Sequence, residues 1–463
     1  MNSKKYRTLN MNNCLKCLKT TVACLAMSAF VSMFVSCKKT TPPDTKYIKE
    51  FHVANFYQSS KMIEEDNLAL YVDYSTCIAE GMKTSPFYVK LLPSFVEATK
   101  SYYSIKGNVI TKEEPTDTYN RLLNIVEVNY ADLKSAAEQI ANGNTEAALL
   151  TDGEYYNPTL AGANPNNPYL AKAFKTWLKK GHDIFILSEP YVEVNHVQQY
   201  NKKRFYFLFT DSRLKNNIFE RITQTASLEQ FPEVQLFHLS ADHPGVMVEG
   251  NSSKPNDMLA ATITPCGSFE IQDWTIDWKG INNFIMGAVD QQTGNPLPNG
   301  DVVISGIKVN RNSFGGYRIT DVGVRVYDMN AEYMDYYMRK EAKEKVGPLD
   351  AELTECPNFL MVDHKEFSRH GIINLYFDVM RLDNSFLKYG NPNNYFKIDF
   401  FISQTENVFS KYSSMFTFDL LGQPGVTNSS VVTSVQQCLV DKDLQNQMKH
   451  SPFYSIYVKS NKY

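Results

Sequence analysis

An α/β fold followed by a β-rich half is predicted for this sequence by three observations. Short apolar or aromatic runs of strand length alternate with helical stretches from Asn67 to about Leu239. Two of those runs, Leu68 to Val72 and Ala147 to Leu150, are unbroken apolar segments, as expected of strands covered on both faces of a parallel sheet. After His243 the pattern changes, and strands with alternating β-branched and aromatic residues dominate to the end. The reading is a Rossmann-like parallel-sheet domain over 65–243 and a sandwich-like β-rich domain over 258–463.

In chain order, the first 36 residues read as a targeting segment. They carry Lys4, Lys5, Arg7, Lys16 and Lys19 with no acid, then an apolar stretch from Thr20 to Val35 too short for a membrane span. Removing them leaves 42 basic against 50 acidic residues, a net charge of −8. An acidic chain without a basic stripe argues against nucleic acid as a partner. The stretch ends in Phe34-Val35-Ser36-Cys37, which resembles the lipobox of bacterial lipoproteins, with Phe34 in place of the usual leucine. That resemblance implies cleavage before Cys37 and lipidation of its thiol and new amino group. Residues 37–64 are then the lipidated cysteine and its tether, beginning KKTTPPDT, too polar and proline-rich to pack. Lys38 follows Cys37 where an aspartate would resemble an inner-membrane retention signal, so the expected location is the outer membrane.

Cys14, Cys17 and Cys24 leave with the targeting segment, and Cys77, Cys266, Cys356 and Cys438 remain beside Cys37. Their scatter matches neither zinc spacing nor a disulfide scaffold, so buried thiols are expected. The eight histidines show no ligand spacing, and no GxSxG, HExxH or Gly-rich phosphate loop occurs.

The strands of the first half are Leu68 to Val72, Tyr102 to Ile105, Ala147 to Leu150, Asp183 to Leu187, Arg204 to Phe209 and Val234 to Leu239. Ser85-Pro86 opens the first helix, an N-cap followed by proline at N1, and Pro93 is expected to kink that helix or mark its real start. Further helices are expected over Asp117 to Val126, Ala131 to Ala141, Pro168 to Lys180 and Asn216 to Ala226. In the second half, strands are expected at Met258 to Thr264, Phe269 to Trp278, Asn283 to Val289, Val302 to Val309, Tyr317 to Tyr327, Ile372 to Leu382, Tyr395 to Ile402 and Phe453 to Val458. Trp274 and Trp278 read as part of a half-buried strand. Helices cover Ala331 to Lys345 and Ser434 to Lys449.

Function is most legible at two strand ends. LALYV runs into Asp73-Tyr74-Ser75-Thr76-Cys77, and AALL runs into Thr151-Asp152-Gly153-Glu154, so each delivers an acid beside a hydroxyl. In open α/β sheets ligands collect at the carboxyl ends of strands. Taken in order, LALYVDYSTC, Asn129-Tyr130-Ala131-Asp132 and LLTDGE resemble a von Willebrand factor type A domain over roughly residues 65 to 240. That family builds a metal-ion-dependent adhesion site from DxSxS after the first strand, a threonine in a later loop and an aspartate after the fourth strand. The resemblance therefore implies a metal set of Asp73, Ser75, Asn129 and Asp152. Cys77 stands where the second serine belongs and Asn129 near where the threonine falls.

Magnesium or manganese is the implied ion, and a thiol is too soft a donor for it. The bland reading is that Asp73 and Ser75 cap a turn, Asn129 caps a helix and Asp152-Gly153 is a turn, with no cofactor. A hydrolase reading rests on Asp73, Asp152 and Asp211 converging at one sheet edge, as in haloacid dehalogenase-type phosphotransferases. Those use DxDx(T/V), and the second aspartate is Ser75 here.

The expected role is thus a lipid-anchored envelope protein that binds a protein partner. Replacing Cys37 by alanine should move the protein out of the membrane fraction on cell fractionation; retention through residues 20–35 would refute the lipid anchor.

Overall fold

Strands β1 (Leu68–Asp73) and β4 (Ala147–Thr151) lie at the heart of a seven-stranded sheet. Every residue of both is buried, as their unbroken apolar sequences require. The computed structural model describes residues 47, 50–51, 67–75, 78–79, 84–125, 130–155, 165–195, 197–211, 214, 216–240, 248–249, 262–264, 267–272, 302–312, 316–346, 353–356, 360–377 and 393–461. The expected strand Asn283 to Val289 and the pair Trp274 and Trp278 lie outside these residues.

The remaining strands of this sheet are β2 (Thr99–Lys106), β3 (Val109–Glu113), β5 (Asp183–Asn195), β6 (Gln198–Thr210) and β7 (Gln235–Leu239). Their order is β3-β2-β1-β4-β6-β5-β7. Only β2-β1-β4 is parallel, and the pairs β2–β3, β4–β6, β6–β5 and β5–β7 are antiparallel. The sheet is therefore mixed rather than the parallel one expected. The physical reason is connection length: two residues join β5 to β6, whereas a parallel crossover needs about a dozen or more. Hairpin β2–β3, unforeseen, turns on Gly107-Asn108 with Gly107 at φ +58°, a conformation glycine adopts freely.

Helices cover both faces. Leu68, Leu70 and Val72 of β1 point toward α1 (Pro86–Ala98), α2 (Thr118–Leu123) and α5 (Ile218–Thr225). Ala69 and Tyr71 point toward α3 (Leu133–Asn142) and α4 (Ala171–Leu178). The Ser85 side chain caps α1 by accepting the Tyr88 N–H at 2.9 Å, and the helix runs on through Pro93, so Ser85 marks its start. For α3 the cap is Asp132, which accepts the Ser135 N–H at 3.1 Å. A buried ion pair ties β5 to β6: Arg204 donates to Glu189 at 2.6 Å, and Tyr206 donates to the same oxygen at 2.9 Å.

The second half holds two further sheets. One has the order β13-β12-β16-β19-β10-β9 and contains β9 (Thr262–Thr264), β10 (Gly267–Gln272), β12 (Tyr317–Asp328), β13 (Thr354–Glu355), β16 (Asn393–Asn407) and β19 (Pro452–Asn461). The other has the order β14-β15-β11-β8, from β8 (Val248–Glu249), β11 (Val302–Val309), β14 (Leu360–Val362) and β15 (Ile372–Phe377). All their pairings are antiparallel except β10 with β19. A small ladder joins β17 (Phe418–Asp419) to β18 (Thr427–Asn428).

Helix α6 (Asn330–Glu341) buries Tyr333 and Tyr336 against Phe51, so the tyrosine-rich stretch holds the N-terminal segment. A short helix, α7 (His364–His370), precedes β15. The single helix expected over Ser434 to Lys449 is two, α8 (Ser430–Leu439) and α9 (Lys442–His450), because Asp441 caps α9 through the N–H groups of Asp443 and Leu444. Cys356 and Cys438 are free and buried, and burial pushes the Cys356 thiol up to about 12.

One apolar cluster runs from Leu149, Phe174 and Phe205 through Phe416, Val431 and Val435 to Ile319, Ile373 and Phe400. It joins the strands and helices of the first half to both sheets of the second, and the described residues belong to one compact unit, Asp44–Tyr463. Because such a core resists division, limited proteolysis near Ser252 to Asp257 should give two fragments that co-elute and melt in one transition. Fragments that separate after cutting would refute this.

Candidate functional site

Parallel pairing of β1 with β4 sets Val72 beside Leu150, so the next residues, Asp73 and Thr151, share one face at the strand ends. The Thr151 hydroxyl donates to Asp73 Oδ2 at 2.7 Å, and the Ser75 N–H donates to Oδ1 at 2.8 Å. Thr151 Oγ1 in turn accepts the Gly153 N–H at 3.0 Å, and Asp152 Oδ1 accepts the Glu154 N–H at 2.8 Å. This is a topological switch point. The chain leaves β1 for β2 on one side, and β4 is added on the other, which opens the sheet's natural ligand crevice between β1 and β4.

The crevice is roofed by the chain itself. Gly153 has φ +73°, and a Cβ there would meet Phe205 at 2.8 Å and Val431 of α8 at 3.1 Å, so only glycine lets the roof seat. Tyr169 donates to the Gly153 carbonyl at 2.6 Å and stacks on Tyr155. Glu154 accepts the Leu421 N–H at 3.0 Å through one oxygen and the Lys202 ammonium at 2.8 Å through the other. Asp419 accepts the Asn201 N–H at 2.7 Å, and Ser434 accepts the Leu170 N–H at 3.2 Å. Asp73 and Asp152 are accordingly buried.

Electrostatics follow from this burial. Desolvation raises the Asp73 carboxyl above its usual range; hydrogen bonds from Ser75 and Thr151 oppose the rise, and the charge of Glu154 adds to it. Desolvation and the neighbouring Asp73 charge push Asp152 up to about 8, with Lys202 pulling the other way. Burial lowers the Lys202 ammonium, but the charges of Asp152 and Glu154 outweigh it and the net direction is up. The Asp73–Asp152 pair therefore favours holding a proton, and Lys202 stays an ammonium beside Glu154.

Of the sequence-derived metal set, Asp73, Ser75 and Asp152 come together here, while Asn129 and Cys77 lie outside the described residues. The three fit a hard cation in donor chemistry, being oxygens with surplus negative charge, but fall short of its six donors. Thr151 Oγ1 already donates to Asp73 and accepts from Gly153, which leaves it a single lone pair. Among the described residues no group of three or more His, Cys, Asp or Glu side chains is placed to hold a metal. Nor is any described helix long and apolar enough to cross a membrane.

Asp211 does not converge with Asp73 and Asp152. Strand β6 runs antiparallel to β4, so its end lies at the opposite edge, where Asp211 sits beside Glu146 and helps raise that carboxyl to about 8. Lys202, Glu154 and Tyr169 were missed as members of the site. Glu154 stood in the LLTDGE motif, but a lysine inside a polar strand and a tyrosine before a helix carry no local signal of meeting it.

A carboxyl raised in the folded state binds a proton that the unfolded chain has released. Between about pH 4 and 8 the native state holds that proton on the Asp73–Asp152 pair, so stability falls as pH rises through this window and levels off above it. Asp152→Asn should reduce this slope by up to about one proton's worth, about 1.4 kcal/mol per pH unit, leaving the shares of Asp73 and Glu146. Urea titrations at pH 5, 6, 7 and 8 measure it; an unchanged slope would refute the raised carboxyl. Comparison of the chain with protein-family models, with curated proteins and with solved structures finds no match.

Proposed function

We propose that this chain is a lipid-anchored protein of the bacterial cell envelope, held at the outer membrane through Cys37. Its α/β part is a divergent von Willebrand factor A-like domain that binds a protein partner and carries a degenerate adhesion-type metal site. The supporting observation is the pairing of an acid at the end of β1 with an acid just after β4, the fourth strand, across one crevice. The resemblance calls for acids after those same strands. Beyond β4 the sheet departs from a parallel succession, which is why the domain is read as divergent.

Binding is favoured over hydrolysis because both oxygens of Asp73 are engaged, and a buried, hydrogen-bonded carboxyl is a poor nucleophile. With the roof in place, the partner meets the rim of the crevice rather than its acids. The tether is shorter than the expected 37–64, because Tyr47 and Phe51 pack on α6; residues 37–46 reach at most about 35 Å fully extended, so a lipidated Cys37 keeps the folded unit against its membrane.

Calorimetric titration with magnesium and manganese tests the site. Cys77→Ser should raise affinity by restoring an oxygen donor, and Asp152→Ala should lower it. Affinity should also increase as pH passes about 8, because the cation must displace the Asp152 proton. If neither wild type nor Cys77→Ser binds either ion at millimolar concentration, the adhesion-site reading is wrong.

A further inference from the structure

Far from the acidic crevice in chemistry, a cavity of about 510 Å³ opens where β11 ends, β12 begins and α7 meets β15. Its charged and polar lining is Lys308, Arg311, Arg318, His370, Asn310 and Asn312, with the Glu366 carboxylate behind it at 3.0 Å from His370 Nδ1. In a chain with more acids than bases, this concentration of cations is unusual. Its frame is rigid. Val309 N–H donates to Gly371 O at 2.8 Å, Ile319 N–H donates to Arg311 O at 2.8 Å, and Asn312 N–H is bonded to the Asn310 side chain at 3.1 Å.

Arg311 is held in place by the carboxyl end of α7. Its Nη1 donates to the carbonyls of Phe367 and Ser368, and its Nη2 to that of Arg369 at 3.3 Å. The Nε–H and one further Nη2 hydrogen carry no partner among the described residues, so one edge of a fixed guanidinium is left to donate. Lys308 is exposed at the rim and lies across from Glu249 of β8 in the antiparallel ladder. Arg318 has only Glu406 at 3.8 Å, with both side chains largely exposed, a pairing of little worth.

We propose that this cavity binds an oxyanion, a phosphate or sulfate group carried on a small solute. Lys308 supplies a point charge, the free edges of Arg311 and Arg318 supply paired donors, and the Asn310 and Asn312 side chains border the remainder of the molecule. Guanidinium groups match the oxyanion in geometry as well as charge. The volume exceeds what one phosphate fills and falls within the range of small-molecule sites, which points to a phosphorylated or sulfated compound rather than the free ion.

Calorimetry on the purified chain with glucose 6-phosphate, glucose and inorganic phosphate tests this. Glucose 6-phosphate should bind, inorganic phosphate should bind more weakly and glucose not at all, with affinity falling as salt rises. Lys308→Gln with Arg318→Gln should weaken binding by about tenfold or more, the loss expected for charge-assisted hydrogen bonds. Glu406→Gln, which removes the competing carboxylate, should strengthen it, and this variant keeps the test valid should the double variant misfold. No binding of glucose 6-phosphate at millimolar concentration overturns the proposal. So does binding unaffected by both sets of variants, or sedimentation with phosphatidylglycerol vesicles in the absence of any binding of the soluble phosphates.

Discussion

Carboxylates taken out of water must be neutralised, and that constraint shapes the structure around the ends of β1 and β4. Asp73, Asp152 and Glu154 bring three acids into one crevice, and an isolated buried charge costs several kcal/mol or more. The protein answers with a hydroxyl and a backbone N–H on Asp73, a raised proton affinity of the Asp73–Asp152 pair, and Lys202 with the Leu421 N–H on Glu154. Each answer comes from a different part of the chain. The crevice is thus complete only when β6 and the segment around Leu421 are seated.

This dependence explains why the two halves share a core. Phe416, Phe418, Val431 and Val435 bring apolar surface onto the same face as Phe205 and Phe174, and Gly153 leaves room for Val431 to approach. Polar and apolar contacts thus act in the same place. Removing the roof would expose apolar surface and strip a hydrogen bond from Glu154 together. The Arg204–Glu189 pair is a second case of the same rule, where removal of one partner would strand a buried charge at a cost of about 3–5 kcal/mol.

The two charged places on the molecule are built in opposite ways. At the strand ends, acids are buried, bonded and closed over, so the cluster serves the fold. At the junction of β11, β12 and α7, cations are exposed, held by backbone geometry and left with donors to spare. A cluster that has satisfied itself has little left for a ligand, whereas one with unsatisfied donors retains that capacity.

The central strands, the alternation of strand and helix, the cap at Ser85, and Asp73 beside Asp152 as a place of interest were all legible in the sequence. Each of these is local, because burial on both faces needs an unbroken apolar run and a cap needs one side chain within four residues. Strand direction after β4, the edge on which Asp211 falls, the break at Asp441 and the roles of Lys202 and Tyr169 were decided by tertiary structure. Polar residues such as Glu189 to Asn195 and Gln198 to Lys203 form a ribbon only because their partner strand is present. Whether an acid at a strand end faces water, a cation or a lysine is settled by residues 48 to 267 positions away, and no local pattern records that distance.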